Sequence, residues 1–348
     1  MRRFRSALVV VVFGLSGALV SVVPDEVAAV AGRGRCRATA FVTNLDGGTV
    51  STIDVKTRTK HPTDITVGAG PVGVAVTPDG KTAYVANQGS GTVSTIDVKT
   101  RTKHRSDITV GSLAFGLAIT PDGKTAYVTN NATGTVSTID VKTRTKHRTD
   151  ITVGGYPKGV AITPDGKTAF VTLANYDGNQ EGDLGNSVAT IDVKTRTKHP
   201  TDITVGTQPL RVAVTPDGKT AFVTGIPVST IDVKTRTKHP DDINLGMGAN
   251  EVTFTPDGKT AYVTRGGPAP VGSLSTIDVK TRSKHPTDIP VGSNPIGVAV
   301  TPDGKTAFVA NPFSHTVSTI DVKTRTKHPT DIPGGPTPIG VAVTPCRR

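Results

Sequence analysis

The sequence predicts an all-β chain, a seven-bladed β-propeller of four-stranded antiparallel blades, and three observations carry this. The phrase TPDGKTA recurs at Thr77, Thr120, Thr163, Thr215, Thr255 and Thr301, with a truncated TPC at Thr344. Successive spacings of 43, 43, 52, 40, 46 and 43 residues suit one four-stranded blade each. A second phrase, TIDVKTRTKH, begins at Thr52, Thr95, Thr138, Thr190, Thr230 and Thr319, and once more at Thr276 with Ser283 as its single change. No segment has helical periodicity, which argues against a helical solenoid.

One unit, Val72 to Val110, justifies the elements in order. Gly73–Val76 (GVAV) is a short apolar strand. Thr77–Gly80 places Pro second and Gly fourth, the chemistry of a type I turn. Thr82–Val85 is a second strand with one aromatic, and Asn87–Gly91 a loop. Thr92–Val98 is a β-branched third strand. Lys99–Asp107 is expected to turn the chain, and Ile108–Val110 to form the fourth strand. The aromatic recurs as Phe41, Tyr84, Tyr127, Phe170, Phe222, Tyr262 and Phe308, which predicts a core between blades.

The run TAYVTN at Thr125–Asn130, followed by GTVSTID, and the run GVAITPDG at Gly159–Gly166 resemble the YVTN family of β-propeller repeats. That family occurs in exported bacterial and archaeal surface proteins and is similar to lactonase-like propellers. The resemblance spans essentially the whole chain after its leader. It implies the fold and little chemistry, since one fold hosts many functions.

The leader is separate. MRRFR is a basic n-region, Ala7–Val23 is apolar, and Ala29–Ala31 offers a small-residue cleavage site. Residues 1–31 therefore read as a secretory signal peptide and 32–348 as the propeller. The rival is an uncleaved anchor, for which 17 apolar residues are near the minimum span. No later segment is apolar enough to cross a membrane. Removing the leader takes the chain from +12 to +11, with 37 Lys and Arg against 26 Asp and Glu.

The chain starts on a second-strand phrase, Ala38–Asn44, and ends on a first-strand phrase, Ile339–Thr344. The last blade is therefore expected to be composite, with its inner strand from the C-terminus and three strands from the N-terminus. Cys36 and Cys346 both fall on the Asp position of TPDGK in that blade's broken first turn, which predicts a Cys36–Cys346 disulfide in an exported protein.

Seven of the eight histidines occupy one repeat position, so they read as surface architecture, and His315 as an ordinary loop residue. No nucleophile elbow, phosphate loop or HxxxH metal spacing is present. Propeller geometry puts TPDGK and DVKTRTKH on one repeated face and the varying loops on the other. The first-strand glycine (Gly73, Gly116, Gly159, Gly297, Gly340) is replaced by Arg211 and Glu251 in two consecutive blades. With Lys158 and Tyr156 they are the ligand-binding candidates at the channel mouth, against the plainer reading of a salt bridge. Asp177, Asn179, Glu181 and Asp183 alternate like calcium ligands, but Val188 stands where the terminal bidentate Glu belongs. An acidic solvated loop is the favoured reading there, and no cofactor is predicted.

The basic repeat supplies Lys56, Arg58, Lys60, Lys99, Arg101, Lys103 and their equivalents, 21 of 40 cations, yet neighbouring aspartates reduce the net to about +1 per blade. Aromatics at 4% and no Trp leave few stacking platforms for bases or sugars. The favoured function is a non-catalytic, monomeric binding module at or outside the cell surface, for an unidentified protein or polyanionic surface ligand. The alternatives are weak polyanion binding through the basic face and a lactonase-like hydrolase.

Overall fold

Each repeat's β-branched and aromatic runs pair as antiparallel neighbours, because alternate side chains of a strand can be buried on both faces of a stacked blade. The computed structural model describes residues 38–174, 186–246, 248–266 and 272–345. In blade 1 the strands are Pro71–Val76, Thr82–Asn87 and Thr92–Asp97, from the channel outward. Gly80 closes the first turn by donating its N–H to the Thr77 carbonyl at 2.7 Å, as the TPDG chemistry requires. Blades 2 to 6 start on inner strands Ala114–Ile119, Tyr156–Ile162, Val212–Val214, Ala249–Phe254 and Val298–Val300. Blade 7 is the composite: C-terminal Pro338–Val343 pairs antiparallel with Thr39–Asn44, with Phe41 opposite Ala342. The described residues thus form seven sheets. No helix among them is long and apolar enough to cross a membrane.

The outer strand differs from expectation. The turn is confined to residues 98–101, since Asp97 already pairs with Thr102. Thr102–Lys103 is a first outer piece, and Ile108–Thr109 a second that pairs further along the same third strand. The Asp97 carboxylate explains the tight turn: it accepts the Thr100 N–H and hydroxyl at 2.7 and 2.8 Å. Arg101 then sits at φ 57°, a left-handed conformation shared by the equivalent arginine of every blade. KTRTKH is therefore half turn and half edge strand.

The repeated aromatics lie between blades, all of them at most 1% exposed. Tyr84 packs with Val93 and Ile108 of its own blade and with Ala126, Val128 and Ile139 of the next. At the closure, Phe308 of blade 6 packs with Ala40, Val42 and Ile53 of blade 7. Tyr84 also donates its hydroxyl to Val141 O of blade 2 at 3.1 Å, and burial pushes its pKa to about 12.

Candidate functional site

The wall of the central channel follows from the first-strand glycine. A Cβ at Gly116 would lie 2.2 Å from Lys158 O, and one at Gly340 would lie 2.3 Å from Val72 O. Adjacent inner strands approach too closely there for any side chain directed at the neighbour. The YVTN threonine completes the joint. Thr129 Oγ1 accepts the Gly116 N–H at 2.7 Å and donates to Lys158 O of the next blade at 2.7 Å. Thr43, Thr172, Thr224 and Thr264 donate across their blade boundaries in the same way. Blades 1 and 6 carry Ala86 and Ala310 at this position.

Arg211 and Glu251 interrupt the glycine ring and bring two charged side chains to a channel of about 430 Å³. Arg211 Nε donates to Glu251 Oε2 at 3.0 Å. The Arg211 guanidinium lies 4.4 Å from the ring centre of Phe115, an inner-strand residue of blade 2. Its Nη1 is buried and has no hydrogen-bond partner among the described residues. Burial pushes the Glu251 pKa up against the opposing pull of Arg211. Burial, followed by repulsion from Arg211, lowers that of Lys158.

Of the sequence candidates, the structure joins Arg211 to Glu251 directly and puts Lys158 within the electrostatic reach of Arg211. Tyr156 is a half-exposed residue at the start of blade 3's inner strand. Phe115 was not legible as a site residue: it has no charge, and it belongs to the blade two before that of Arg211. The calcium candidates Asp177, Asn179, Glu181 and Asp183 lie outside the described residues, as do Cys36, Cys346 and the leader. Among the described residues no cluster of three or more His, Cys, Asp or Glu suits a metal.

TPDGK and DVKTR do share a face: Asp165, Lys167, Lys219, Lys234 and Arg236 line a single groove across two blades. Its cations are largely occupied. Lys60 pairs with Asp64 at 2.8 Å, and the equivalent lysine pairs with the aspartate four residues on in every other blade. The left-handed arginine reaches back to the preceding blade: Arg144 to His104, Arg196 to Thr138, Arg236 to His199 and Arg325 to Thr287 O. Lys56 and Lys99, the first cation of their copies, remain exposed at the turn.

Residues 39–180 match the family model described as "Lactonase, 7-bladed beta-propeller". A putative 6-phosphogluconolactonase from Bacteroides uniformis is similar, with TM-score 0.74 and 16% identity over 89% of this chain and 100% of that one. Kuenenia stuttgartiensis hydrazine synthase has TM-score 0.68 and 24% identity over 78% of this chain and 88% of that one. AztD from Citrobacter koseri has TM-score 0.62 and 14% identity over 88% of this chain and 98% of that one. No curated protein matches the chain. Identities this low speak for fold alone. Repeat, ring closure and these likenesses agree: in fold, the chain is a seven-bladed propeller similar to the lactonase-like, YVTN-repeat proteins.

Proposed function

We propose that the chain is an exported binding module whose channel holds a small ligand bearing a carboxylate or carbonyl oxygen. One observation carries this reading: Arg211 is fixed by Glu251 and Phe115, yet its buried Nη1 donor has no partner among the described residues. A buried, unsatisfied guanidinium N–H costs stability unless something occupies it, and a ligand oxygen would satisfy it with a charge-assisted hydrogen bond. Calorimetry with gluconate and 6-phosphogluconate tests the site. Heat from the native chain that disappears in Arg211→Ala supports it. No heat from either compound, or the same heat in the variant, overturns it.

The lactonase match favours a second reading of the same site. In a lactone hydrolase Glu251, with its raised pKa, would take a proton from the attacking water, and Arg211 would face the developing oxyanion. Hydrolysis of 6-phosphogluconolactone by the native chain but not by Glu251→Gln would select this reading over simple binding.

Export rests on the leader's pattern of basic, apolar and small residues. The Cys36–Cys346 bridge belongs to the same reading. Supporting it, Thr39 N–H donates to Thr344 Oγ1 and Thr344 N–H to Thr39 O, both at 2.9 Å, so residues three after Cys36 and two before Cys346 are paired. The bridge would close nearly the whole chain into one loop, stabilising it by about 5 kcal/mol in the chain-entropy description. Alkylation of unreduced, denatured protein should modify no cysteine.

A further inference from the structure

Five copies of the repeat continue from histidine to proline, at Pro62, Pro200, Pro240, Pro286 and Pro329. Blades 1 and 2 continue instead to Arg105 and Arg148, both exposed. The backbone accepts proline here in five blades, so its geometry does not demand arginine. Between blades 1 and 2 lies a rim cleft of about 410 Å³ lined by His104, Arg105, Ser106, Asp107, Thr143 and Arg144. Arg144 Nη1 donates to His104 Nδ1 at 2.7 Å, which makes that nitrogen an acceptor and leaves the imidazole proton on Nε2. Asp107 is the carboxylate of the lining, and it is engaged by Lys103 Nζ at 2.8 Å and by the Ser94 hydroxyl at 2.8 Å. Asp97 acts on His104 from the turn but is capped by Thr100. Burial, then Arg144, holds the His104 pKa below its ordinary value. The cleft therefore gathers two guanidinium groups and an imidazole around carboxylates that are already engaged.

We propose that this cleft binds a tetrahedral oxyanion, a phosphate or sulfate group, through Arg105, Arg144 and His104. The two arginines supply charge-assisted donors, and His104, whose Nδ1 is taken by Arg144, offers the proton on Nε2. The boundary of blades 3 and 4 is an internal control. There Arg236 Nη1 also meets the preceding histidine, at 2.9 Å from His199 Nε2 and 3.1 Å from Nδ1, but Pro200 stands where the additional arginine would be. The rim cleft shares no lining residue with the channel, so the two proposals stand or fall separately.

Titration of the purified chain with inorganic phosphate, and separately with inorganic sulfate, at low ionic strength tests the proposal. Calorimetry and the His104 ring-proton NMR signal are the readouts, and the two anions distinguish phosphate from sulfate recognition. Saturable binding at one site is expected, with the His104 pKa moving upward as the anion binds. Arg105→Pro should weaken binding about tenfold, the loss of one charged hydrogen bond, with an unchanged thermal midpoint. Lys99→Ala removes the same charge from a nearby exposed turn and should leave affinity within about twofold. Equal weakening in both variants would mean diffuse charge and overturn the site. So would the absence of a His104 shift with either anion.

Discussion

The repeated face and the channel wall are built from the same seven units but answer to different constraints. On the repeated face the second lysine of every copy is paired within its blade and four of the arginines reach the preceding blade, as in Lys60–Asp64 and Arg144–His104. The wall tolerates no side chain at the joint in blades 1, 2, 3, 6 and 7, yet accepts Arg211 and Glu251 in blades 4 and 5. Repetition therefore marks what the ring needs in every unit. A departure at a sterically demanding position marks where the ring has been adapted, and that contrast can be tested by substitution.

The largest effect is expected at the glycine joint. Gly116→Ala forces a methyl to within 2.2 Å of Lys158 O and should cost about 3 kcal/mol, seen as a lower denaturation midpoint. The paired change Arg211→Gly with Glu251→Gly should stay within about 1 kcal/mol of the native chain, because it removes both charges together. A silent Gly116→Ala would break the distinction between the two parts of the wall.

Next comes the threonine link. Thr129→Val leaves Lys158 O and the Gly116 N–H without their partner and should cost about 1–3 kcal/mol. The natural Ala86 and Ala310 show that a blade folds without this link, so the effect should stay below that of the glycine.

Acid separates the two regions by sign. The turn carboxylates of Asp97, Asp140, Asp192, Asp232, Asp278 and Asp321 are held below their ordinary value of 3.8, chiefly by the N–H of the threonine three residues on. Their contribution is present above about pH 3.8 and is lost as pH falls through their folded values. Glu251, raised by burial, acts oppositely: its contribution declines as pH rises from 4.5 through its folded value. Denaturation midpoints across pH 2–7 should therefore drop steeply at the acid end. Glu251→Gln should remove only a shallow slope at higher pH.

The smallest effects belong to the repeated lysines. Lys103→Ala, which breaks the pair with Asp107, should cost about 0.5–1 kcal/mol, and Lys99→Ala less than about 0.5 kcal/mol by the same measurement. Equal costs would show that the ion pairs contribute nothing to the ring.

Much of the architecture was legible because its causes are local or periodic. TPDG codes its turn, the β-branched runs code strands, and one aromatic per period codes the inter-blade core. The out-of-phase ends coded the composite blade. The Ile108–Thr109 strand was legible, but the turn before it was drawn too long: Thr102–Lys103 already pairs, because the Asp–Thr cap that tightens the turn is a hydrogen-bond property that the pattern of strands and turns does not show. At the candidate site, the sequence singled out Arg211 and Glu251 because they replace a repeated glycine. That Arg211 lies over Phe115 with one donor unpaired among the described residues was decided only by the packing of the inner strands, which joins residues far apart in the chain. By itself the sequence determined how many blades there are and where they join, through repetition and turn chemistry. The tertiary structure alone decided which cations are engaged and which N–H groups remain open, because those depend on the neighbouring blade.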